Sequence, residues 1–188
     1  MQPFLTPQQA CDLHEALLEW TCGQIVSAGL GPLEIWTTAV ANPPVFERCI
    51  ELGASGLRTQ QGGDLGSRMQ HALTDGLQRA RKVILVGSDC PTIDAAYLQQ
   101  AVMALDECHC VLGPAQDGGY VLIGVRDPVP DCFGDVAWGT ERVYQQTAAC
   151  LDSAGVPWQA LAVLRDIDRP GDLPEWYAVQ SGAAVPTR

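Results

Sequence analysis

The chain has 188 residues, 47% of them hydrophobic, with 22 Asp and Glu against 11 Lys and Arg and a formal net charge of −11. That apolar fraction excludes a disordered chain, and the acidic balance argues against a nucleic-acid backbone or an anionic membrane as the main partner. No stretch is long and apolar enough to span a bilayer, and no basic-then-apolar leader opens the sequence. Eight scattered cysteines without a Cys-x-x-Cys read as small hydrophobes in a reduced, cytoplasmic setting.

Thr6-Pro7-Gln8-Gln9 predicts a helix start, with Thr as N-cap, Pro at the first helical position and Gln three residues after the cap. Leu13, Leu17, Leu18, Ile25 and Val26 continue the periodicity to Gly29 or Gly31. Leu33 to Ala39 predicts a strand closed by Asn42-Pro43-Pro44, and Val45 to Leu52 a short helix stopped by Gly53. Leu57 to Gln60 is a short strand leading into Gln61-Gly62-Gly63-Asp64-Leu65-Gly66. Paired glycines let backbone approach a ligand, and the helix from Leu65 to Ala80 offers free N–H groups to an anion. Its inward positions are Met69, Ala72, Leu73 and Leu77, with Arg68 near the start.

Val83-Ile84-Leu85-Val86 is a continuous apolar run, which predicts a strand buried on both faces of a largely parallel sheet. Gly87-Ser88-Asp89-Cys90-Pro91 must then turn, because Pro91 cannot continue a ladder. Asp89 stands just beyond a strand's carboxyl end, where open sheets bind ligands; read alone, it could equally cap the next helix.

A helix over Asp94 to Leu105 and a strand over Cys110 to Pro114 follow. Cys108-His109-Cys110 offers two thiols to one face, short of the four ligands of a zinc site. Asp117-Gly118-Gly119-Tyr120 makes a hairpin-like turn into the strand Val121 to Val125, adding at least one antiparallel strand. A loop carries Trp138-Gly139-Thr140, Thr140 caps a helix from Glu141 to Ala154, and Trp158 to Leu164 is a late strand. Arg165-Asp166-Ile167-Asp168-Arg169-Pro170 leads into a terminal helix, with a frayed tail over 179–188. The alternation of strands and helices predicts a single α/β domain over 1–188, an open, mixed, mostly parallel sheet with helices on both faces.

Three acidic turns follow strands: Asp89, Asp117 and the Asp166/Asp168 pair. Converging carboxylates suit Mg²⁺ or Mn²⁺, which bridges to phosphate oxygens, and both Gly-Gly turns would border the same cleft. None of the three histidines, His14, His71 and His109, falls in a strand-end loop, and Asp89 beside Cys90 would raise that thiol's pKa rather than activate it.

The series GGDLGSRM, GSDCP, GPAQDGGYVLIG, WGT and RDIDRPGDL resembles, in order and spacing, the small GT-A-type glycosyltransferases called radical-SAM/selenodomain-associated transferases, some labelled arsenosugar-biosynthesis glycosyltransferases. The resemblance spans Thr6 to about Trp176. It implies the nucleotide-diphospho-sugar transferase fold and a metal-dependent transfer from a nucleotide-diphospho-sugar donor to a small-molecule acceptor. It implies Asp89 and Asp168 as metal ligands, Gly62, Gly63, Asp64, Arg68 and Ser88 at the donor, and Gly118, Gly119, Tyr120, Trp138 and Thr140 at the acceptor. Asp117 is the candidate general base. Nucleotidyl transfer from a nucleoside triphosphate and a catalytically silent binding domain stay open as alternatives, as does a homodimer.

One departure from that family's pattern stands out. Such proteins open with a central strand and a basic loop before the first helix, whereas this sequence opens at the helix, and its first Lys or Arg is Arg48. The expectation is that Met1 is internal to a longer reading frame or that the chain is a degenerate member, lacking the phosphate-binding loop.

Overall fold

The computed structural model describes residues 4–38 and 43–181. Thr6 opens the first helix as predicted: its hydroxyl accepts from the Gln9 amide at 3.2 Å, and Gln9 Oε1 accepts from the Thr6 amide at 2.9 Å. Two donors that a helix start leaves unpaired are thereby satisfied. Helix α1 runs Pro7–Ala28 and ends on Gly29, whose φ of 64° is a left-handed turn that glycine adopts without strain. Then come β1 (Glu34–Thr37), α2 (Pro44–Leu52), β2 (Gly56–Thr59), α3 (Leu65–Leu77), β3 (Lys82–Val86), α4 (Ala95–Glu107) and β4 (Cys110–Pro114). They are followed by β5 (Tyr120–Arg126), α5 (Val143–Ser153), β6 (Trp158–Ala160) and, after one 3-10 turn at Pro170–Asp172, α6 (Leu173–Gln180).

The predicted elements are all present, with shifted ends. Ala39 and Asn42, expected to close β1, lie outside the described residues, as does 182–188 of the expected tail; α6 itself extends past Ala178 to Gln180. Thr140 does not cap α5, which starts at Val143 with no side-chain cap. Its hydroxyl donates to the Ala137 carbonyl at 2.7 Å and accepts from the Arg142 amide at 3.3 Å, a turn one step ahead of the helix. The late strand is ordered as β6 for three residues and resumes as a single bridge between Leu164 and Ala115.

The larger sheet has the order β3-β5-β4-β6. Strand β5 is antiparallel to both β3 and β4, and β6 is parallel to β4, so β3, β4 and β6 run one way and β5 alone runs back. This is the mixed, mostly parallel α/β sheet that the sequence predicts. Residues alternate between two cores, as the pleat requires. Val111, with Ile84 and Val86, joins the cluster under α4 and the end of α1. Cys110 and Leu112, with Val83 and Leu85, join the cluster under α3 and α5.

Strands β1 and β2 form a separate parallel pair. Helix α3 reaches across to it: Arg79 just past α3 pairs with Glu34 at 2.8 Å, and the Trp36 and His71 rings meet edge-on at 5.6 Å. Moving forward along β1 is thus moving backward along α3, as it is for β3, so β1 and β3 point the same way. The expectation that β3 is buried on both faces needs correction. All five of its residues are half-buried, whereas all five of β4 are buried. The reason is pairing: among the described residues β3 bonds only to β5, leaving its other edge toward β1 without a ladder.

The cysteine expectation is corrected in part. Cys132 and Cys150 form a disulfide; the other six are free, and all of those but Cys11 are buried. Cys108 donates to the Ala104 and Cys110 carbonyls, and burial pushes the Cys110 thiol up to about 12, the behaviour of packed thiols rather than of metal ligands.

Candidate functional site

The carboxyl ends of β3, β4 and β6 meet at one edge of the sheet, and each delivers acid there. β3 ends at Val86, and Gly87 and Ser88 carry the chain to Asp89. β4 ends at Pro114, three residues before Asp117. Past β6, Leu164 bonds to the Pro114 carbonyl at 2.9 Å and aligns the Arg165–Arg169 segment beside the same turn. The Ile167 amide then donates to the Asp89 carbonyl at 2.8 Å, while its side chain is buried against Leu17 and Trp176. That clamp puts Asp166 and Asp168 on either side of a fixed residue.

One oxygen each from Asp117, Asp166 and Asp168 lie within 4.8 Å of one another. Asp89 shares their field. Burial raises its pKa, and the Asp117 charge adds to the rise. Burial, then the charges of Asp117 and Asp168, push the Asp166 carboxyl up to about 6. Asp168 is also raised, by burial and then by Asp89 and Asp117, with Arg169 partly offsetting. Asp89, Asp166 and Asp168 are thus each harder to ionise than an ordinary carboxylate, and a cation among them would relieve the repulsion.

Asp117 is exposed and held by its own turn, its Oδ1 accepting the Gly119 amide at 2.8 Å. Gly118 has a φ of 91°, and a Cβ there would overlap the Glu141 backbone. The Tyr144 amide donates to the Gly118 carbonyl at 2.9 Å, so the turn is seated on the start of α5. The Tyr120 hydroxyl is buried and its ring meets Trp138 edge-on at 6.2 Å.

Trp138 links this turn to the other glycine turn. Its Nε1 donates to the Phe133 carbonyl at 3.3 Å, and a Cβ on Gly66 would lie 2.5 Å from that carbonyl oxygen and 2.6 Å from the indole nitrogen. Gly66 is in the first turn of α3, whose N-cap Asp64 accepts from Ser67 at 2.7 Å and is held below the usual carboxylate range chiefly by that backbone bond. Arg68 folds back onto the Gly62 carbonyl at 3.1 Å. Gly62 and Gly63 are exposed, and Thr140 is exposed beside Trp138.

Two site residues were not singled out by the sequence reading. Asp166 was visible only as half of a pair, and its part in the cluster depends on the Ile167 clamp. His14 lies exposed on α1, with no strand-end position to mark it, yet its charge partly offsets the burial that raises the Asp89 pKa. Helix α1 is docked here by Leu13 and Leu17 against Ile167 and Trp176, and by the Trp20 indole donating to the Pro91 carbonyl at 3.0 Å. Cys90 is buried, bonds to the Arg165 carbonyl, and is pushed up to about 11 by burial, which removes it as a nucleophile.

Comparison with known proteins places these features in company. Residues 21–140 match the sequence model of a family described as an uncharacterized protein conserved in bacteria, DUF2064. No curated protein matches the sequence. A crystal structure from Desulfovibrio desulfuricans G20, provisionally described as a nucleotide-diphospho-sugar transferase, is similar at TM-score 0.76 and 28% identity, over 89% of this chain and 75% of that one. Two further structures share the fold at lower identity. CMP:2-keto-3-deoxy-manno-octonic acid synthetase, complexed with CTP, has TM-score 0.58 and 10% identity over 88% of each chain. Rv0371c from Mycobacterium tuberculosis H37Rv has TM-score 0.52 and 18% identity, over 85% of this chain and 81% of that one.

Proposed function

The chain belongs to the DUF2064 family, and we propose that it is a metal-dependent transferase acting on a nucleotide-diphospho-sugar donor, of the GT-A-type glycosyltransferase kind. The observation that carries this reading is the gathering of Asp117, Asp166 and Asp168 within 4.8 Å at the strand ends, with Asp89 in the same field. An all-oxygen, multiply charged donor set fits a hard divalent cation such as Mg²⁺ or Mn²⁺. Asp89, Asp166 and Asp168 would hold it; bound there, such an ion neutralises charge on the donor's departing phosphate. The described nucleotide-diphospho-sugar transferase from Desulfovibrio, similar over 89% of this chain, supports the same donor class.

The remaining roles are those that the family resemblance implies. The stretch from Gly62 to Arg68, with Gly63 and Asp64, would border the donor's base and ribose, and Ser88 would also lie at the donor. The Gly118-Gly119 turn, Tyr120, Trp138 and Thr140 face the acceptor. Asp117 has one oxygen fixed by Gly119, leaving the other to take the acceptor's hydroxyl proton as general base. Calorimetry with UDP- and GDP-sugars in the presence of Mn²⁺ tests the reading: heat from a sugar nucleotide, absent without Mn²⁺, is expected. Pyrophosphate release from a nucleoside triphosphate would point to nucleotidyl transfer instead, and binding of neither would point to a silent domain.

A further inference from the structure

Residues 131–140 form a strap across the site. At one end the Phe133 carbonyl and the Trp138 indole lie against Gly66 in the first turn of α3. At the other, the Trp138 ring meets Tyr120 and the Glu141 backbone closes over Gly118. The strap therefore touches the first turn of α3 at Gly66 and, through Trp138, Tyr120 after the Gly118-Gly119 turn. Its hydrogen bonds to α5 among the described residues are few: the Ala137 amide donates to Gln146 Oε1 at 2.8 Å, and the Val143 amide donates to the Thr140 carbonyl at 3.3 Å.

Covalent attachment adds to this. Cys132, buried at the base of the strap, is bridged to Cys150 on α5 with their Cα atoms 5.6 Å apart. The bridge closes a ring of chain that contains Trp138, Thr140 and the start of α5. Cys150 is half-buried, whereas its partner Cys132 is buried, so of the two ends of the bridge the Cys150 end is nearer to solvent. Five of the six free cysteines are buried, and burial pushes Cys22 and Cys110 up to about 12; the sixth, Cys11, is exposed on α1.

We propose that the Cys132–Cys150 bridge is a redox latch on the strap, holding 131–140 against Gly66 of α3 and Tyr120 when closed and releasing it when reduced. The effect on ligand entry rests on the site reading above; the latch itself does not. Opening is thiol–disulfide exchange with a dithiol. A reductant thiolate attacks the Cys150 sulfur, the bridge breaks, and Cys132 leaves as a thiolate and takes a proton. The second reductant thiol then displaces Cys150, which is also protonated, so the protein gains two electrons and two protons and the reductant becomes its disulfide.

The test is hydrogen exchange read by mass spectrometry on the full chain, air-oxidised and then treated with dithiothreitol, alongside Cys150→Ser. The oxidised protein is expected to yield a linked 132–150 peptide. Reduction is expected to speed exchange in 131–140 by about tenfold while 110–125 stays unchanged, since local opening sets those rates. Cys150→Ser should exchange at the fast rate with or without reductant. Equal exchange of 131–140 in oxidised and reduced wild type, or no linked peptide after oxidation, overturns the latch. The wild-type pair decides the matter even if the variant fails to fold. No ligand is present, so failure of donor binding and failure of the latch are separate results.

Discussion

The Ile167 amide donates to the Asp89 carbonyl at 2.8 Å, joining two turns that lie 78 residues apart in the chain. This one bond explains why Asp166 and Asp168 flank Asp89 rather than solvate independently. It also makes the acid cluster a property of the packed core, because Ile167 is buried with Leu17 and Trp176.

The cluster should make stability depend on pH in a definite direction. Asp166 has a folded pKa of about 6, above the ordinary carboxylate value, so the folded state holds a proton that the unfolded state has already lost. Its contribution is fully present below about pH 4 and is lost as pH rises through about 6. Asp166→Asn is therefore expected to raise the thermal midpoint relative to wild type at pH 7 and to lose that advantage at pH 4. Equal differences at both values would remove Asp166 from the coupled set.

Gly118→Ala should damage the turn that presents Asp117. The φ of 91° is strained for any L side chain, and the Glu141 backbone leaves no room for a Cβ. Backbone strain and overpacking together predict a loss of about 1–3 kcal/mol, which for a chain of this size is roughly 2–4 °C of thermal midpoint per kcal/mol. Gly63→Ala, where a Cβ would meet nothing within 4 Å, is the matched control and should shift the midpoint far less.

Hydrogen exchange should grade the strands by pairing. β4 is bonded on both sides and wholly buried, whereas β3 is bonded on one side and half-buried throughout. Amides of Val111 and Leu112 are expected to exchange only on global unfolding, and those of β1, β2 and the outer edge of β3 by smaller openings. Uniform protection across all six strands would show that the β3 edge is covered in solution.

The sequence made the elements legible where local chemistry decides them. Thr6, Pro7 and Gln9 write a helix start in four residues, and Asp117-Gly118-Gly119 writes a reversal between two apolar runs. It misjudged features that depend on neighbours. Val83 to Val86 is apolar enough for a central strand, but its burial depends on what bonds to its second edge. The Cys132–Cys150 bridge has no spacing signature, because α5 must fold before the two meet. Asp89, Asp117 and Asp168 were readable as acids beyond strands. Asp166 was readable only as Asp168's neighbour, its own place in the cluster needing the Ile167 clamp, and His14 was not, since it needs the docking of α1.

The central claim is that these carboxylates hold a divalent cation for a nucleotide-diphospho-sugar. Calorimetric titration of Mn²⁺ with UDP into wild type, Asp89→Asn and Asp168→Asn tests it most directly. Wild type should bind, and each variant should fold normally yet lose at least about tenfold in Mn²⁺ affinity, since each removes a charged ligand from a hard-ion site. Mn²⁺ binding that is unchanged in both folded variants would contradict the account.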